Sequence, residues 1–333
     1  MRHRSFRSGA LVATVAFGLL VAVSGTLAQG QIGVRKTWNP PRTPDGQPDL
    51  QGVWNFSTIT PMERPANVTG TEFTDQEIGE RQRQATIAAT QDQRSTDPAA
   101  DVQHAYDNSV WWERGTKVMG NKRTSLLVDP PDGQLPPLTP GAEAREAARA
   151  KTRQHPTGPE DFELKDRCIV GFNQGPPMLP NAYNNNVQLV QSSDHVVIVN
   201  EMVHDARMVP LDGRPHIGTA IRQMVGDSRG HWDGSTLVVD TTNFTDAGLG
   251  LFKGNWGFRG TGDKNLHVIE RFTRLNADVL RYEATVEDPT TYTKPWTVSL
   301  LMTRSKDKIY EYACHEGNFS IANMLSAERA TER

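Results

Sequence analysis

Three residues capable of chemistry stand together near the end of the chain, Cys314, His315 and Glu316. A cysteine beside a histidine can form a thiolate nucleophile with its base, and all three residue types bind metals. Adjacent residues of an extended strand point to opposite sides, so this Cys–His pair is poorly placed for nucleophilic catalysis. The remaining interpretation, a disulfide, depends on the compartment in which the protein resides.

The first 28 residues have the organisation of a secretory signal peptide. A basic start is followed by an apolar stretch at residues 10–23 and by the cleavage-site pattern Thr26-Leu27-Ala28. The alternative is an uncleaved membrane anchor, for which the apolar stretch is short. We therefore exclude residues 1–28 from the fold and expect a periplasmic or secreted protein.

An exported location favours pairing of the two cysteines, Cys168 and Cys314. The bond would join positions 146 residues apart. Closing a loop of that length restricts the unfolded chain and stabilises the fold by about 5 kcal/mol in the chain-entropy treatment. We predict the disulfide, and with it a structural role for Cys314.

Glu270 and His204 form the candidate catalytic pair. Alternate residues of a strand share one face, and we assign the more apolar face of each stretch to the interior. That choice places Glu270 of "NLHVIERF" inside, together with Asn200, Met202 and His204 of "VVIVNEMVHDAR", and it leaves Arg207 on the outward face. Burial raises the pKa of a glutamate and lowers that of a histidine, which suits general acid–base catalysis. The alternative is a structural network in which these groups only satisfy each other.

Several further residues would hold or polarise a substrate. The predicted substrate-binding residues are Asn200, Met202, Arg207, Phe272, Tyr282, His315 and Tyr183. His204, His315 and Glu270 could in principle converge on a metal ion, but no short-range pair of ligands supports this. We predict neither a metal nor an organic cofactor.

The elements that position these residues are mainly β. From residue 185 onward, period-two alternation broken by turn residues indicates an antiparallel meander. The predicted strands are "NVQLVQS", "HVVIVNEMVHDARMVPL", "STLVVDTTNF", "NLHVIERFTRL", "VLRYEATVED", "WTVSLLMTR" and "KIYEYAC", and "HWDGS" is one of the predicted turns. An earlier strand-like stretch begins at Leu50.

An insertion at about residues 59–184 interrupts the β pattern. One predicted helix begins after Thr74, with Glu77 completing a capping box, and another has Thr139 as N-cap and Pro140 at its first position. The chain ends in a predicted short helix, "FSIANMLSAERA". Residues 29–50 are predicted to form a proline-rich arm, and residues 51–333 a single barrel domain with this insertion.

The charge balance argues against a nucleic-acid partner. Without the three arginines of the predicted signal peptide, 33 of the 36 basic residues stand against 39 acidic ones, a formal charge of 33 − 39 = −6. Binding to phosphates needs concentrated lysine and arginine, which the chain lacks. It also lacks the motifs of P-loop, Rossmann, serine-hydrolase and zincin enzymes, and no segment after the signal peptide is apolar enough to span a membrane.

The stretch "PDLQGVWN" resembles the start of lipocalin-like (calycin) β-barrels through Gly52-Val53-Trp54. The resemblance covers the first strand and the meander, and it implies an up-and-down barrel followed by a helix. In that family the tryptophan closes one end of the barrel against a basic residue, which Arg304 would supply here. The whole chain also resembles a family of exported bacterial proteins that brings no known activity with it.

These observations lead to two main expectations of function. The first is an exported, cofactor-independent enzyme that eliminates, hydrates or isomerises a small, partly apolar molecule, with hydrolysis left open. The second is a non-catalytic carrier of the lipocalin type. A third possibility is a structural protein whose barrel is filled.

Overall fold

The computed structural model describes residues 38–90, 113, 115–246 and 264–331. The predicted signal peptide and the first part of the predicted arm lie outside these described residues. No helix of the described part is long and apolar enough to cross a membrane.

The described residues form ten strands and three α-helices. The strands are β1 (Gly52–Asn55), β2 (Leu127–Asp129), β3 (Asn186–Gln191), β4 (His195–Asn200), β5 (Ala206–Pro210), β6 (Asp227–Asp233), β7 (Thr236–Thr242), β8 (His267–Arg274), β9 (Val279–Glu287) and β10 (Trp296–Arg304). The helices are α1 (Asp75–Thr90), α2 (Pro140–Gln154) and α3 (Ser320–Thr331). The predicted mainly β class, with a helical insertion and a short C-terminal helix, is confirmed.

The strands form a nearly closed antiparallel barrel. Their order is β5-β4-β3-β1-β10-β9-β8-β7-β6, and β2 pairs with the beginning of β10, at Thr297 and Val298. The two edge strands, β5 and β6, come together through side chains. Arg207 Nη1 lies 3.4 Å from Ser228 Oγ, and a side chain at Gly230 would meet Val209 and Leu211 within 2.8 Å. We call this line between β5 and β6 the seam.

The two ends of the barrel differ in their connections. Short turns join β3 to β4, β6 to β7 and β8 to β9 at the end that we call the lower end. The upper end carries the β4–β5 turn, the β7–β8 and β9–β10 connections, and residues 171–185, which lead into β3. We call residues 171–185 the mouth segment.

Alternation along the strands builds the core, because one face of each strand must be buried. In β9, Leu280, Tyr282, Ala284 and Val286 are buried and the residues between them reach the surface. β8 alternates in the same way, with Val268, Glu270 and Phe272 buried. The predicted inward faces of both strands are confirmed.

Side-chain caps fix the starts of two helices as predicted. Thr74 and Glu77 form the reciprocal bonds of a capping box before α1, with Thr74 N donating to Glu77 Oε2 over 2.7 Å and Glu77 N to Thr74 Oγ1 over 3.2 Å. Thr139 Oγ1 accepts from Ala142 N at the start of α2. These bonds satisfy backbone N–H groups that a helix leaves unpaired at its first turn.

The prediction of one long strand through "HVVIVNEMVHDARMVPL" is wrong. β4 ends at Asn200 and β5 begins at Ala206, with a 3-10 turn at Met202–His204 between them. Val203 and His204 adopt positive φ angles of 61° and 56°, so the chain reverses direction. The reversal changes which residues face inward, and its effect on the site is described below.

Two further strand predictions also differ from the structure. "KIYEYAC" contains no strand, and "HWDGS" is not a turn throughout, because His231 to Asp233 end β6 and the turn itself is Gly234-Ser235. β6 was missed because its sequence, "DSRGHWD", lacks an apolar alternation.

The lower end contains the contact that the lipocalin resemblance implies. Arg304 lies over the ring of Trp54, with its guanidinium carbon 5.5 Å from the ring centroid. Arg274, which the sequence did not indicate, lies 5.6 Å from the same centroid and donates to the backbone oxygen of Asp49. Trp54 Nε1 donates to the backbone oxygen of Leu50, so the fully buried indole has its hydrogen bond.

Candidate functional site

A buried ion pair crosses the interior of the barrel. Glu270 of β8 is fully buried, and Arg207 of β5 donates to both of its oxygens, over 2.9 Å to Oε1 and 2.5 Å to Oε2. Tyr282 of β9 donates its hydroxyl to Oε1 over 2.9 Å. The carboxylate thus accepts three hydrogen bonds, two of them from a guanidinium in the two-pronged geometry that holds carboxylates most firmly.

The ion pair is joined to polar groups from three further elements. Ser228 of β6 lies against Arg207 and is bonded to Thr241 of β7, Oγ to Oγ1, over 2.9 Å. Met178 of the mouth segment donates its backbone N–H to the Tyr282 hydroxyl over 2.9 Å. The surrounding interior is apolar, as the buried cluster that includes Phe272, Ala284 and Val239 shows.

The charges of this network are fixed by their partners. Burial alone would lower the pKa of Arg207, but the charge of Glu270 and its hydrogen bonds outweigh burial and raise that pKa. Burial and the charge of Glu270 raise the pKa of Tyr282 well above its ordinary value. Tyr282 therefore remains a neutral hydrogen-bond donor across the physiological range, and it is unsuited to act as a base.

Two polar atoms near this network have no hydrogen-bond partner among the described residues. They are Arg207 Nε and Asn200 Oδ1, and the residues that carry them are 6% and 3% exposed. The main chain brings the two residues close, because β4 and β5 are paired with Ile198 opposite Arg207.

The mouth segment, which immediately precedes β3, covers the upper end of the barrel. Met178 is fully buried, and it belongs with Leu179 to the same core cluster as the barrel lining. Asn185 holds the segment in shape, because its side chain accepts from Asn181 N over 2.8 Å and from Asn173 Nδ2 over 3.2 Å. Asn185 thus has a structural role in the loop that leads into β3.

The structure separates the predicted catalytic pair. His204 lies in the β4–β5 turn with its side chain exposed and Nδ1 3.2 Å from the backbone oxygen of Tyr310. Glu270 is enclosed in the barrel. The predicted inward position of His204 is therefore wrong, because the turn ends the alternation that the prediction extended past Asn200.

The same turn also changes the side of the barrel wall to which Arg207 points. Alternation from Asn200 placed Arg207 outside, yet the reversal turns it and Val209 inward. Asn200 faces inward as predicted, while Met202 is buried in the turn itself, against Gly171.

The other predicted binding residues fall into two groups. Phe272 and Tyr282 are together inside the barrel, with ring centroids 5.1 Å apart. Tyr183 lies in the mouth segment, where it stacks at 6.3 Å from Tyr312, and His315 is exposed. The structure does not bring this second group to Glu270.

Cys168 and Cys314 form the predicted disulfide. The bond joins the chain just before the mouth segment to the chain that follows β10, and Asn318 Nδ2 lies 3.2 Å from Cys168 Sγ. A thiolate nucleophile at Cys314 is ruled out by this bond. His315 and Glu316, which follow it, lie exposed at the surface.

A chain of carboxylates and histidines runs across the outer wall near the upper end. His216 lies between Asp227 and Asp240, at 2.9 and 3.0 Å, and His267 lies between Asp240 and Glu287, at 3.0 and 3.1 Å. The hydrogen bond with Asp240 raises the pKa of His267 against the effect of burial, and the bond with His267 lowers that of Asp240. We call these five residues the carboxylate–histidine chain.

The sequence did not indicate the carboxylate–histidine chain, because its members come from four strands and the β5–β6 connection. A signal existed in the outward position of His267, which lies opposite Glu287 in the β8–β9 ladder. Each ring nitrogen of its two histidines faces a carboxylate oxygen. Among the described residues, no group of three or more histidine, cysteine or acidic side chains is arranged to hold a metal ion.

Comparison with known proteins adds no relative to this description. No family model, no curated protein and no solved structure matches the chain. The likeness to lipocalin-like barrels therefore concerns the architecture, a nearly closed antiparallel barrel with a tryptophan and an arginine at one end.

Proposed function

We propose that this protein binds a small, largely apolar molecule inside its barrel, with the buried network of Arg207, Glu270 and Tyr282 as the polar anchor. The observation that carries the proposal is the network itself, an ion pair enclosed in an otherwise apolar interior. This function corresponds to the carrier expected as the alternative from the sequence.

The energetics of buried charge support this proposal. Removing two charges from water costs several kcal/mol per ion, and well-packed apolar residues often stabilise a fold as much as a buried pair does. Folding alone thus gives little reason to place Arg207 and Glu270 at the centre of a barrel. A ligand with a polar group gives such a reason, because fixed charges and dipoles orient it in an apolar site.

A ligand enters the barrel past the mouth segment. Met178 fills the upper interior with a flexible side chain, and its backbone N–H donates a hydrogen bond to Tyr282 of the barrel wall. Methionine adapts readily to new surroundings, so its side chain can yield space to a ligand at low cost. Entry then requires the mouth segment to move, while the barrel wall stays in place.

The proposal includes export from the cytoplasm. The leader-like first 28 residues and the disulfide between Cys168 and Cys314 both suit an oxidising compartment. Such a compartment keeps the bond oxidised, so the disulfide can stabilise the carrier.

Acid–base catalysis remains the rival function, with Glu270 as the one member of the predicted pair that lies in the interior. Its carboxylate is held by Arg207 and Tyr282, and neither partner is a ready proton acceptor. The geometry therefore favours binding over turnover. Recovery of a chemically changed ligand after incubation with the protein would favour the enzyme.

The proposal is tested by filling the interior. Ala284 is fully buried and lies opposite Glu270 in the β8–β9 ladder, so Ala284→Leu places a larger side chain beside the anchor. The probe is 1-aminoanthracene, an uncharged apolar fluorophore, titrated into the protein from residue 29 onward. We expect saturable binding of one probe per chain, weakened about tenfold or more by Ala284→Leu.

Val197→Leu is the matched control, because Val197 lies on β4 between the inward Val196 and Ile198 and faces outward. It should change the probe affinity by less than about twofold. Thermal unfolding of each variant establishes that it is folded before binding is compared. Absence of saturable binding, or equal affinity in both variants, would contradict the proposal and favour a structural, filled barrel.

A further inference from the structure

Two buried polar atoms, one in the polar anchor and one in the neighbouring Asn200, take no part in the hydrogen bonds of the anchor. The Nη atoms of Arg207 are engaged by Glu270 and Ser228, whereas its Nε has no partner among the described residues. Asn200 Oδ1 likewise has no hydrogen-bond partner within the described part of the chain. About nine in ten or more buried polar groups in proteins are hydrogen-bonded, so each exception calls for an explanation.

The two atoms belong to neighbouring positions on one interior face. Arg207 lies opposite Ile198 in the β4–β5 ladder, and Asn200 is two residues beyond Ile198 on the same side of β4. Such diagonal neighbours have side chains rooted about 7–8 Å apart, within reach of a single small molecule. Both residues lie at the upper end, where the mouth segment covers the barrel.

The chemistry of the two atoms is complementary. Arginine Nε–H can only donate a hydrogen bond, and an amide oxygen can only accept one. The positive charge of Arg207 is already balanced by Glu270 over 2.5 Å. A negatively charged ligand would therefore bring an uncompensated charge into an apolar interior, which is strongly unfavourable.

We infer that the barrel takes a neutral molecule with an apolar body and a head group that has a carbonyl oxygen next to an N–H or O–H donor. The carboxamide is the simplest such group. Its oxygen accepts from Arg207 Nε and its N–H donates to Asn200 Oδ1. This inference rests on the proposed function and narrows it to a class of ligand.

The test compares three probes that share one apolar body, naphthalene-2-carboxamide, naphthalene-2-carboxylate and 2-methylnaphthalene, in competition with 1-aminoanthracene. A site that hydrogen-bonds a head group discriminates strongly against analogues that lack it, because its own polar atoms are then left unpaired. We expect the wild-type protein to bind the carboxamide at least about tenfold more tightly than either other probe.

Asn200→Leu should reduce this preference for the carboxamide over 2-methylnaphthalene to less than about threefold. Gln188→Leu is the matched control, because Gln188 lies on β3 and points away from the interior. It should preserve the preference. Since the comparison of the three probes in the wild-type protein is itself decisive, a folding defect in Asn200→Leu leaves the inference testable.

The possible failures are distinguishable. If 1-aminoanthracene and all three probes fail to bind, the proposed function is wrong. If the probes bind the wild-type protein with similar affinities, or the carboxylate binds best, only the inference about the head group is wrong. A carboxamide preference that survives Asn200→Leu also overturns the inference about the head group.

Discussion

At the scale of single residues, the interior depends on how completely Glu270 is satisfied. Its two oxygens accept three hydrogen bonds, two from Arg207 and one from Tyr282. The Tyr282 hydroxyl also accepts from Met178 N, so it links the ion pair to the mouth segment. Loss of this one oxygen atom would leave polar groups unpaired on both sides.

We predict that Tyr282→Phe lowers the free energy of unfolding by about 1–3 kcal/mol, the usual cost of leaving buried polar groups unpaired. Denaturant unfolding of the purified variant measures the change.

Tyr292→Phe provides the control for that experiment. Tyr292 is as buried as a core residue, yet its hydroxyl has no hydrogen-bond partner among the described residues. Its removal should be neutral or slightly stabilising, because a buried hydroxyl without a partner is unfavourable. Equal losses in the two variants would mean that the bonds of Tyr282 contribute nothing beyond packing.

The sequence placed Glu270 correctly and His204 wrongly for the same physical reason. Alternation is reliable within one unbroken strand, and β8 is unbroken from His267 to Arg274. It fails across a chain reversal, which lies between Asn200 and Ala206. Arg207, predicted to face outward, therefore became the partner of Glu270.

At the scale of elements, the β4–β5 turn lacks the residue types that predict a turn from sequence. Hairpin turns with positive φ usually contain glycine or asparagine, and the turn here uses Val203 and His204. The adjacent apolar run of β4 then concealed the break. β6 was missed for the opposite reason, since charged residues and Gly230 masked a strand that β7 pairs along its full length.

The carboxylate–histidine chain ties the β5–β6 connection to the barrel wall and predicts a dependence on pH. His216 comes from that connection, while its partners Asp227 and Asp240 belong to β6 and β7. Arg229 lies against Asp227 and adds a fixed positive charge. Each histidine needs its proton to donate from both ring nitrogens to the facing carboxylates.

We predict that stability falls as the pH rises above about 6.5. The pKa of His267 is higher in the folded protein than in the unfolded chain. Its contribution is therefore fully present below the ordinary histidine pKa of about 6.5 and is lost as the pH rises through the folded value. Thermal unfolding across this range measures the change, on the order of 1 kcal/mol or less, since partly exposed pairs are screened.

His267→Gln should flatten this dependence, and His231→Gln should leave it unchanged because His231 lies exposed on β6. Asp240 acts in the opposite direction. Its lowered pKa gives stability above about pH 4 that is lost as the pH falls through the folded value. An unchanged slope in His267→Gln would mean that the bonds of His267 with Asp240 and Glu287 are not the source of the pH dependence.

At the scale of the whole molecule, the disulfide joins parts of the chain that are far apart in sequence. It connects Cys168, just before the mouth segment, to Cys314, beyond the last strand, across 146 positions. The leader-like start of the sequence and the even number of cysteines were sufficient to predict it. The architecture that it stabilises was predicted in class, because strand alternation and turn spacing extend over most of the second half of the chain.

We predict that the double substitution Cys168→Ala with Cys314→Ala lowers the free energy of unfolding by about 2–5 kcal/mol. The reason is that the unfolded chain regains the freedom of a long loop. Denaturant unfolding under non-reducing conditions measures the loss, and the wild-type protein in reducing agent should approach the same midpoint. An unchanged midpoint in both cases would show that the bond does not restrain the unfolded state.

The closure of the barrel was beyond prediction from the sequence. β1 pairs on one side with β3 and on the other with β10, which lies more than two hundred positions along the chain. Local alternation identifies strands but not their partners, because every inward face is similarly apolar. The carboxylate–histidine chain escaped for the same reason, since it depends on contacts between distant segments.

The seam gives this barrel one line along which its wall can widen. Every other junction between neighbouring strands is a ladder of backbone hydrogen bonds, whereas β5 and β6 are the two ends of the strand order. Arg207 reaches from one edge to Ser228 on the other and to Glu270 beyond it. Any expansion of the barrel circumference must first lengthen these bonds. The ion pair at the centre therefore also limits how far the seam can widen.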